Sequence, residues 1–168
     1  SVINRISKNT LHVTDKTVSY FLHIGLMKIV FPKASFIHCK RHPIDTSLSI
    51  YFQNFAGNIP YAYDLEEIAR YYSLYERIMS KWKELFADSI LEINYEDIVN
   101  KQKETTQKLL NTIGLNWDEH CLSFHKTKRI VQTASEWQVR QPIYKRSMER
   151  WLKYEKYLTP LKKILIEK

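Results

Sequence analysis

Apolar positions recur at helical spacing through TVSYFLHIGLMKIVFP, where Tyr20, Phe21, Ile24, Met27 and Ile29 share a face and the run halts before Pro32. The preceding TLHVTDK, Thr10 to Lys16, predicts a short strand that ends on Asp15-Lys16. SFIHCKR predicts a second short strand, buried, that empties onto Lys40-Arg41-His42. Pro43 suits the first turn of the next helix, with Asp45 near its positive end. That helix runs to about Asn54 and gives way to a loop around AGNIP. The clearest helix spans Asp64 to about Ala87, with Leu65, Ile68, Ala69, Tyr72, Tyr75, Met79, Trp82 and Phe86 in one stripe. SILEINYED predicts a third strand, followed by a helix from about Asp97 to Ile113 that stops at Gly114. A short helix is predicted in NWDEHCLSFHKT, an irregular basic segment from Lys126 to Tyr144, and two short C-terminal helices broken near Pro160.

Strands alternating with longer helices predict an α/β fold with a mostly parallel sheet. In such sheets ligands bind beyond the carboxyl ends of the strands. Three predicted strands end on polar groups, Asp15-Lys16, Lys40-Arg41 and Asn94-Tyr95, which converge on one edge if the strands are parallel neighbours. There are no repeats, low-complexity tracts or linkers, so residues 1–168 read as a single domain.

Charge narrows the partners. The net charge of +8 suits anions: nucleic acid, an acidic membrane surface or a phosphorylated small molecule, as well as a plain lysine-rich solvated surface. No apolar run approaches the roughly 18–20 residues of a membrane helix, and SVINRISKNT has no apolar signal core. Cys39 and Cys121 lack metal-ligand spacing and read as free thiols in a reducing, cytoplasmic compartment. The six histidines show no ligand spacing, so no metal is expected. The three glycines, Gly25, Gly57 and Gly114, cannot write a Walker A loop or a G-x-G-x-x-G turn. Phosphate held by this chain is held by side chains and helix ends.

Arg41 stands where a strand turns into a helix N-terminus, a place suited to an oxyanion. It reads either as an anion ligand or as a surface arginine paired with Asp45. Ser49, two turns into the helix, faces the same anion or bonds the preceding turn. Lys16 alone reads as a solvated lysine, Tyr95 as a half-buried anchor and Trp151 as a core residue.

Arg41 with Ser49 eight positions later resembles the 3′-phosphate-binding segment of sulfotransferases that use 3′-phosphoadenosine-5′-phosphosulfate. FPKASFIHCKRHPIDTSLSIYFQNF is most similar to bacterial sulfotransferase domains often attached to tetratricopeptide repeats, relatives of the protein-tyrosine sulfotransferases. VTDK at 13–16, INYEDIV at 93–99 and TASEWQVRQPIYKRSMERWLKYEKYL at 133–158 resemble further segments of that family, in the same order.

The resemblance implies a three-layer α/β/α, P-loop NTPase-like fold, incomplete at the N-terminus. It implies that Arg41 and Ser49 hold the 3′-phosphate and that Tyr95 contacts the nucleotide. Lys16 then stabilises charge on the transferring sulfuryl group, and Ser135 lies near the bridging oxygen. The stretch from Ser135 to Tyr144, with Gln138, Val139, Arg140 and Tyr144, matches the loop that wraps the nucleotide. Arg150 takes the place of a nucleotide-binding lysine. Gln53 departs from the arginine of tyrosine-sulfating relatives, and Val18 from the histidine base of cytosolic small-molecule enzymes.

The family's glycine loop and usual base precede the segment matched by VTDK. The expectation is therefore the C-terminal part of a sulfotransferase domain acting on a hydroxyl acceptor, itself inactive and prone to self-association. The competing reading is a basic nucleic-acid-binding or other non-catalytic anion-binding domain, with Tyr61, Tyr63, Trp82 or Trp137 as stacking platforms.

Overall fold

A computed structural model describes residues 12–55, 57, 59–127 and 136–166. The chain divides into two compact units, Ser1–Lys33 and Ala34–Lys168.

In the first unit, residues 12–17 are irregular, so the strand predicted over Thr10 to Lys16 does not form in its described part. A strand exists only where its peptide groups find a neighbour, and the only strand pair among the described residues lies elsewhere. Here a side chain supplies local order instead: the Tyr20 hydroxyl donates to Asp15 Oδ2 at 2.5 Å. The predicted helix is split. A 3-10 segment, Val18–Leu22, ends at His23, whose φ of −122° leaves the helical region. Helix α1, Ile24–Val30, then begins and stops at Phe31, the residue before Pro32, where the proline ring disfavours helical backbone.

In the second unit, β1 (Phe36–Lys40) and β2 (Ile90–Asn94) form a two-stranded sheet. They are parallel and in register from Phe36 opposite Ile90 to Lys40 opposite Asn94. β1 is not the buried strand expected: its side chains alternate between half-buried and exposed, and Ile37 is 42% exposed. Between the strands come α2 (Pro43–Tyr51) and α3 (Leu65–Leu85). After β2 come α4 (Tyr95–Asn100) and α5 (Gln102–Thr112), separated at Lys101, where one continuous helix was expected. Gly114 follows at φ +73°, the left-handed conformation glycine adopts without a Cβ clash. A 3-10 segment at Glu119–Lys126, the short α6 (Glu136–Val139), a 3-10 segment at Arg150–Tyr157 and α7 (Thr159–Leu165) complete the described chain.

The core explains the order of elements. Ile44 and Leu48 of α2, Ile68 and Ala69 of α3, and Leu158 and Leu161 beside and within α7 form one buried cluster. The predicted α3 stripe is the buried one: Ile68, Ala69, Tyr72 and Met79 are its buried residues. Asp64 starts that helix by accepting from Glu66 N at 2.8 Å and Glu67 N at 2.9 Å. Because α7 packs on α2 and α3, the preceding segment, residues 145–157, is drawn across the carboxyl ends of the strands.

Side chains of both strands tie α3 to the sheet. His38 and Glu92, opposite in the register, meet at 3.2 Å, and the other nitrogen of His38 is hydrogen-bonded to the Tyr75 hydroxyl. Lys83 Nζ donates to Glu92 at 2.9 Å, and Lys40 lies 3.5 Å from it. Cys39 and Cys121 are both free thiols. Among the described residues no helix is long and apolar enough to cross a membrane.

Candidate anion site at the strand ends

Register sets the first contact. Lys40 pairs with Asn94, so the next residues along the parallel strands, Arg41 and Tyr95, emerge side by side. The Arg41 guanidinium lies over the Tyr95 ring, 5.2 Å from its centroid, a cation–π contact. His42, at φ −44° and ψ 126° and so kept out of helical backbone before Pro43, turns the chain from β1 into α2. The C-terminal segment closes the other side, where Arg41 Nη2 donates to the Ser147 carbonyl oxygen. Burial pushes the Tyr95 phenol up, against the opposing pull of Arg41 and Ser147.

Asp45 holds that segment in place. Buried in the first turn of α2, it accepts from Glu149 N at 2.8 Å through Oδ2 and from Trp151 N at 3.0 Å through Oδ1. The pairing of Arg41 with Asp45 is therefore not what forms: both carboxylate oxygens are taken by main-chain donors. Glu96 Oε1 accepts the His42 main-chain N–H at 2.9 Å. Tyr72 of α3 donates its hydroxyl to the Arg41 carbonyl at 3.3 Å, and burial pushes that phenol up to about 12. Together these groups surround an open cavity of about 340 Å³, whose wall includes Lys40, Arg41, His42, Asn94 and Glu96.

Lys40, Arg41 and His42 gather at one lip of the cavity, while Asp45, Glu76, Glu96 and Glu149 lie on the rest of its wall. Arg41 forms no ion pair among the described residues, and its buried Nε has no hydrogen-bond partner there. A buried donor left unmade costs about 1–3 kcal/mol, and more when charged. The arrangement therefore suits an oxyanion offered to the guanidinium edge.

The other predicted site residues fall in three groups. Arg41 and Tyr95 are in contact. Ser49 is exposed on α2 and no hydrogen bond joins it to Arg41; it lies one turn before Phe52, whose ring sits 4.9 Å beneath the Arg150 guanidinium. On that helix Ser47, not Ser49, is fully buried, its hydroxyl unpartnered among the described residues. Gln138 and Val139 are exposed on α6, and Arg140 donates to the Thr127 carbonyl at 2.9 Å. Tyr144 lies 4.5 Å beneath the Arg146 guanidinium. Lys16 is exposed in the irregular stretch of the first unit, and Ser135 lies outside the described residues. Trp151 packs against the buried cluster, as a core residue does.

Sequence reasoning missed the roles of His42, Asp45 and Ser147. Asp45 carried a signal, an acid two residues after a helix-starting proline, but its partners are more than a hundred positions away. His42 and Ser147 carried none.

Residues 1–119 match the model of the Sulfotransferase family. The chain is also 40% identical over 158 residues to an uncharacterized protein of Aquifex aeolicus (strain VF5), a match that covers 92% of this chain and 21% of that protein. It thus spans about a fifth of that relative's length. No solved structure matches. A family model that accounts for the first 119 of 168 residues, including β1, the Arg41 turn and β2 with Tyr95, leaves one assignment: the chain belongs to the sulfotransferase family.

Proposed function

We propose that this chain forms the 3′-phosphate side of a sulfotransferase that uses 3′-phosphoadenosine-5′-phosphosulfate, and that the whole protein transfers the sulfuryl group to a hydroxyl acceptor. The observation that carries the reading is Arg41: half-buried, stacked on Tyr95, and without a carboxylate partner among the described residues. Its orphan Nε fits an oxyanion such as a 3′-phosphate. Tyr95 would fix the guanidinium plane, and the Ser147 carbonyl would fix one nitrogen, leaving the remaining edge for the ligand.

When bound, the nucleotide supplies the activated sulfuryl group. This chain's own residues then hold and orient it. Arg41 and Ser49 hold the 3′-phosphate, Arg150 adds positive charge beyond Phe52, and Gln138, Val139, Arg140 and Tyr144 line the wrapping segment. Lys16 and Ser135 serve the oxygen from which the sulfuryl group departs, where a positioned cation and a hydroxyl donor lower the barrier. Three glycines leave no room for a phosphate loop within 1–168, so residues 1–168 alone are expected to bind nucleotide without turnover.

The test is calorimetric titration of the chain with adenosine 3′,5′-bisphosphate and with AMP. Expected is a preference for the bisphosphate of about tenfold or more, the worth of one charge-assisted contact, lost in Arg41→Ala. Equal affinity for both nucleotides, or equal salt-sensitive binding of any polyanion, would sink the reading and favour the nucleic-acid alternative.

A further inference from the structure

His42 lines the same cavity as Arg41, and its surroundings fix its ring. The imidazole lies parallel to the Trp151 indole, with centroids 5.5 Å apart and planes 2° from parallel. Trp151 is itself held by its main-chain bond to Asp45, and Lys162 Nζ stands 5.1 Å from its ring centroid. The main chain of His42 is fully engaged: its N–H bonds Glu96, and its carbonyl accepts from Thr46 N at 2.9 Å. The imidazole Nδ1 is different. It is buried and has no partner among the described residues.

Two consecutive residues on one cavity wall thus carry buried, unpartnered nitrogens, Arg41 Nε and His42 Nδ1. Either alone is a modest cost; both together mark a place built for a group that accepts from two donors. The nearby carboxylates are turned to other donors: Asp45 accepts from Glu149 N and Trp151 N, Glu96 Oε1 accepts from His42 N, and neither bonds these two nitrogens. Glu76, Glu96 and Glu149 on the rest of the wall repel any anion, which confines a compact phosphate- or sulfate-type oxyanion to the Lys40–Arg41–His42 lip.

We propose that His42 is a second ligand of the anion bound by Arg41, donating through Nδ1–H. The inference rests on the anion-site reading above and adds a residue and a proton dependence to it. Trp151 stacks on the imidazole, with Lys162 over the Trp151 ring, and the titratable and polar groups that share its cavity are Lys40 and Arg41 at the end of β1, Asp45 in α2, Tyr72 and Glu76 of α3, Asn94 and Glu96 at the β2–α4 junction, and Glu149 of the C-terminal segment. The neutral Nδ1–H tautomer donates without charge, and the imidazolium donates and also attracts, so a bound anion favours the protonated ring. Binding therefore takes up protons.

The experiment is calorimetry with adenosine 3′,5′-bisphosphate and with inorganic sulfate, at about pH 6 and about pH 8, where histidine changes charge. Sulfate does not titrate in that range, which removes ligand protonation as a source of any effect. Each titration is run in two buffers of different ionisation enthalpy, so that proton uptake is read directly. Wild type is expected to bind both probes several-fold tighter at the lower pH, with net proton uptake. His42→Phe, which keeps a ring on Trp151, should lose both the pH dependence and about tenfold in affinity, the worth of one charge-assisted bond. His42→Gln keeps an N–H donor and should recover most of the affinity without the proton uptake.

Sulfate binding and proton uptake unchanged in His42→Phe would overturn the proposal, and if Arg41→Ala still abolished binding the earlier reading would stand alone. Sulfate binding that depends on His42 with no preference for bisphosphate over AMP would support this ligand and sink the nucleotide reading. Failure of both probes to bind the folded wild type would overturn both.

Discussion

Asp45 and Glu149 are joined across 104 positions of sequence by one hydrogen bond of 2.8 Å, from the Glu149 main-chain N–H to Asp45 Oδ2. With the bond from Trp151 N to Oδ1, it fastens the C-terminal segment to the first turn of α2 and brings the Ser147 carbonyl to Arg41. Asp45 is 2% exposed, so its removal strands two main-chain donors away from water. Asp45→Ala should therefore lower stability by about 2–4 kcal/mol, one to two unsatisfied buried groups. Asp45→Asn should lose less, since one oxygen remains. Urea unfolding of the three proteins decides it: equal midpoints for wild type and Asp45→Ala would show that the latch carries no energy.

Glu149 adopts φ 55°, the left-handed region, so a non-glycine residue stands where its Cβ crowds the following carbonyl. That conformation costs an L-residue about 1–2 kcal/mol, against about 0.5–1 kcal/mol of extra unfolded-state freedom for glycine. Glu149→Gly should leave stability unchanged or raise it by up to about 1 kcal/mol, because the N–H to Asp45 is kept. Glu149→Val should lower it, since a branched Cβ is worst there. A lower thermal midpoint for glycine than for valine would contradict this account of the turn.

The Asp64 cap gives a local test of α3. Its carboxylate satisfies two of the helix's unpaired N–H groups, Glu66 N and Glu67 N. Asp64→Ala should cost about 1 kcal/mol and Asp64→Ser much less. The same urea measurement applies, and a neutral alanine substitution would mean that water serves these donors equally well.

How much of this was legible in sequence follows from the range of the forces involved. The α3 stripe and the strands β1 and β2 were readable because period and turn residues are local: Ile68, Ala69, Tyr72 and Met79 repeat at helical spacing and are the residues buried. The break at Lys101 and the turn at His23 were not, since neither residue is a helix breaker by type. The stretch before Lys16 alternated like a strand, yet a strand also needs a neighbour, which alternation does not supply. At the site, Arg41 was readable because it follows a strand and precedes a proline. Its meeting with Tyr95 came from the parallel register, and its meeting with Ser147 from the packing of α7 on α2 and α3. The buried, unpartnered nitrogen of His42 exists only in three dimensions.

The His38–Glu92–Tyr75 tie between sheet and α3 makes stability depend on pH. Burial pulls the His38 imidazole below its usual range, and the opposing attraction of Glu92 does not restore it. The native state thus holds fewer protons on His38 than the unfolded chain, whose imidazole titrates at about 6.5. Its contribution to stability is complete above about pH 6.5, falls as the pH drops below that, and levels off once the native value is passed. Glu92 acts lower on the scale. Burial alone would raise its carboxyl, but the Lys83 hydrogen bond, with Lys40, Lys83 and His38 nearby, holds it below the usual carboxylate range. Its contribution is present above about pH 4.3 and is lost as the pH falls through the native value. Urea midpoints between about pH 7.5 and about pH 5.5 should therefore fall in wild type, and the fall should be smaller in His38→Gln, which keeps a polar side chain but cannot titrate. Tyr75→Phe, which removes only the hydroxyl that bonds His38, should retain the slope while lowering the midpoint at every pH. A His38→Gln protein with the full wild-type slope would place the acid sensitivity on another group and remove His38 from the account.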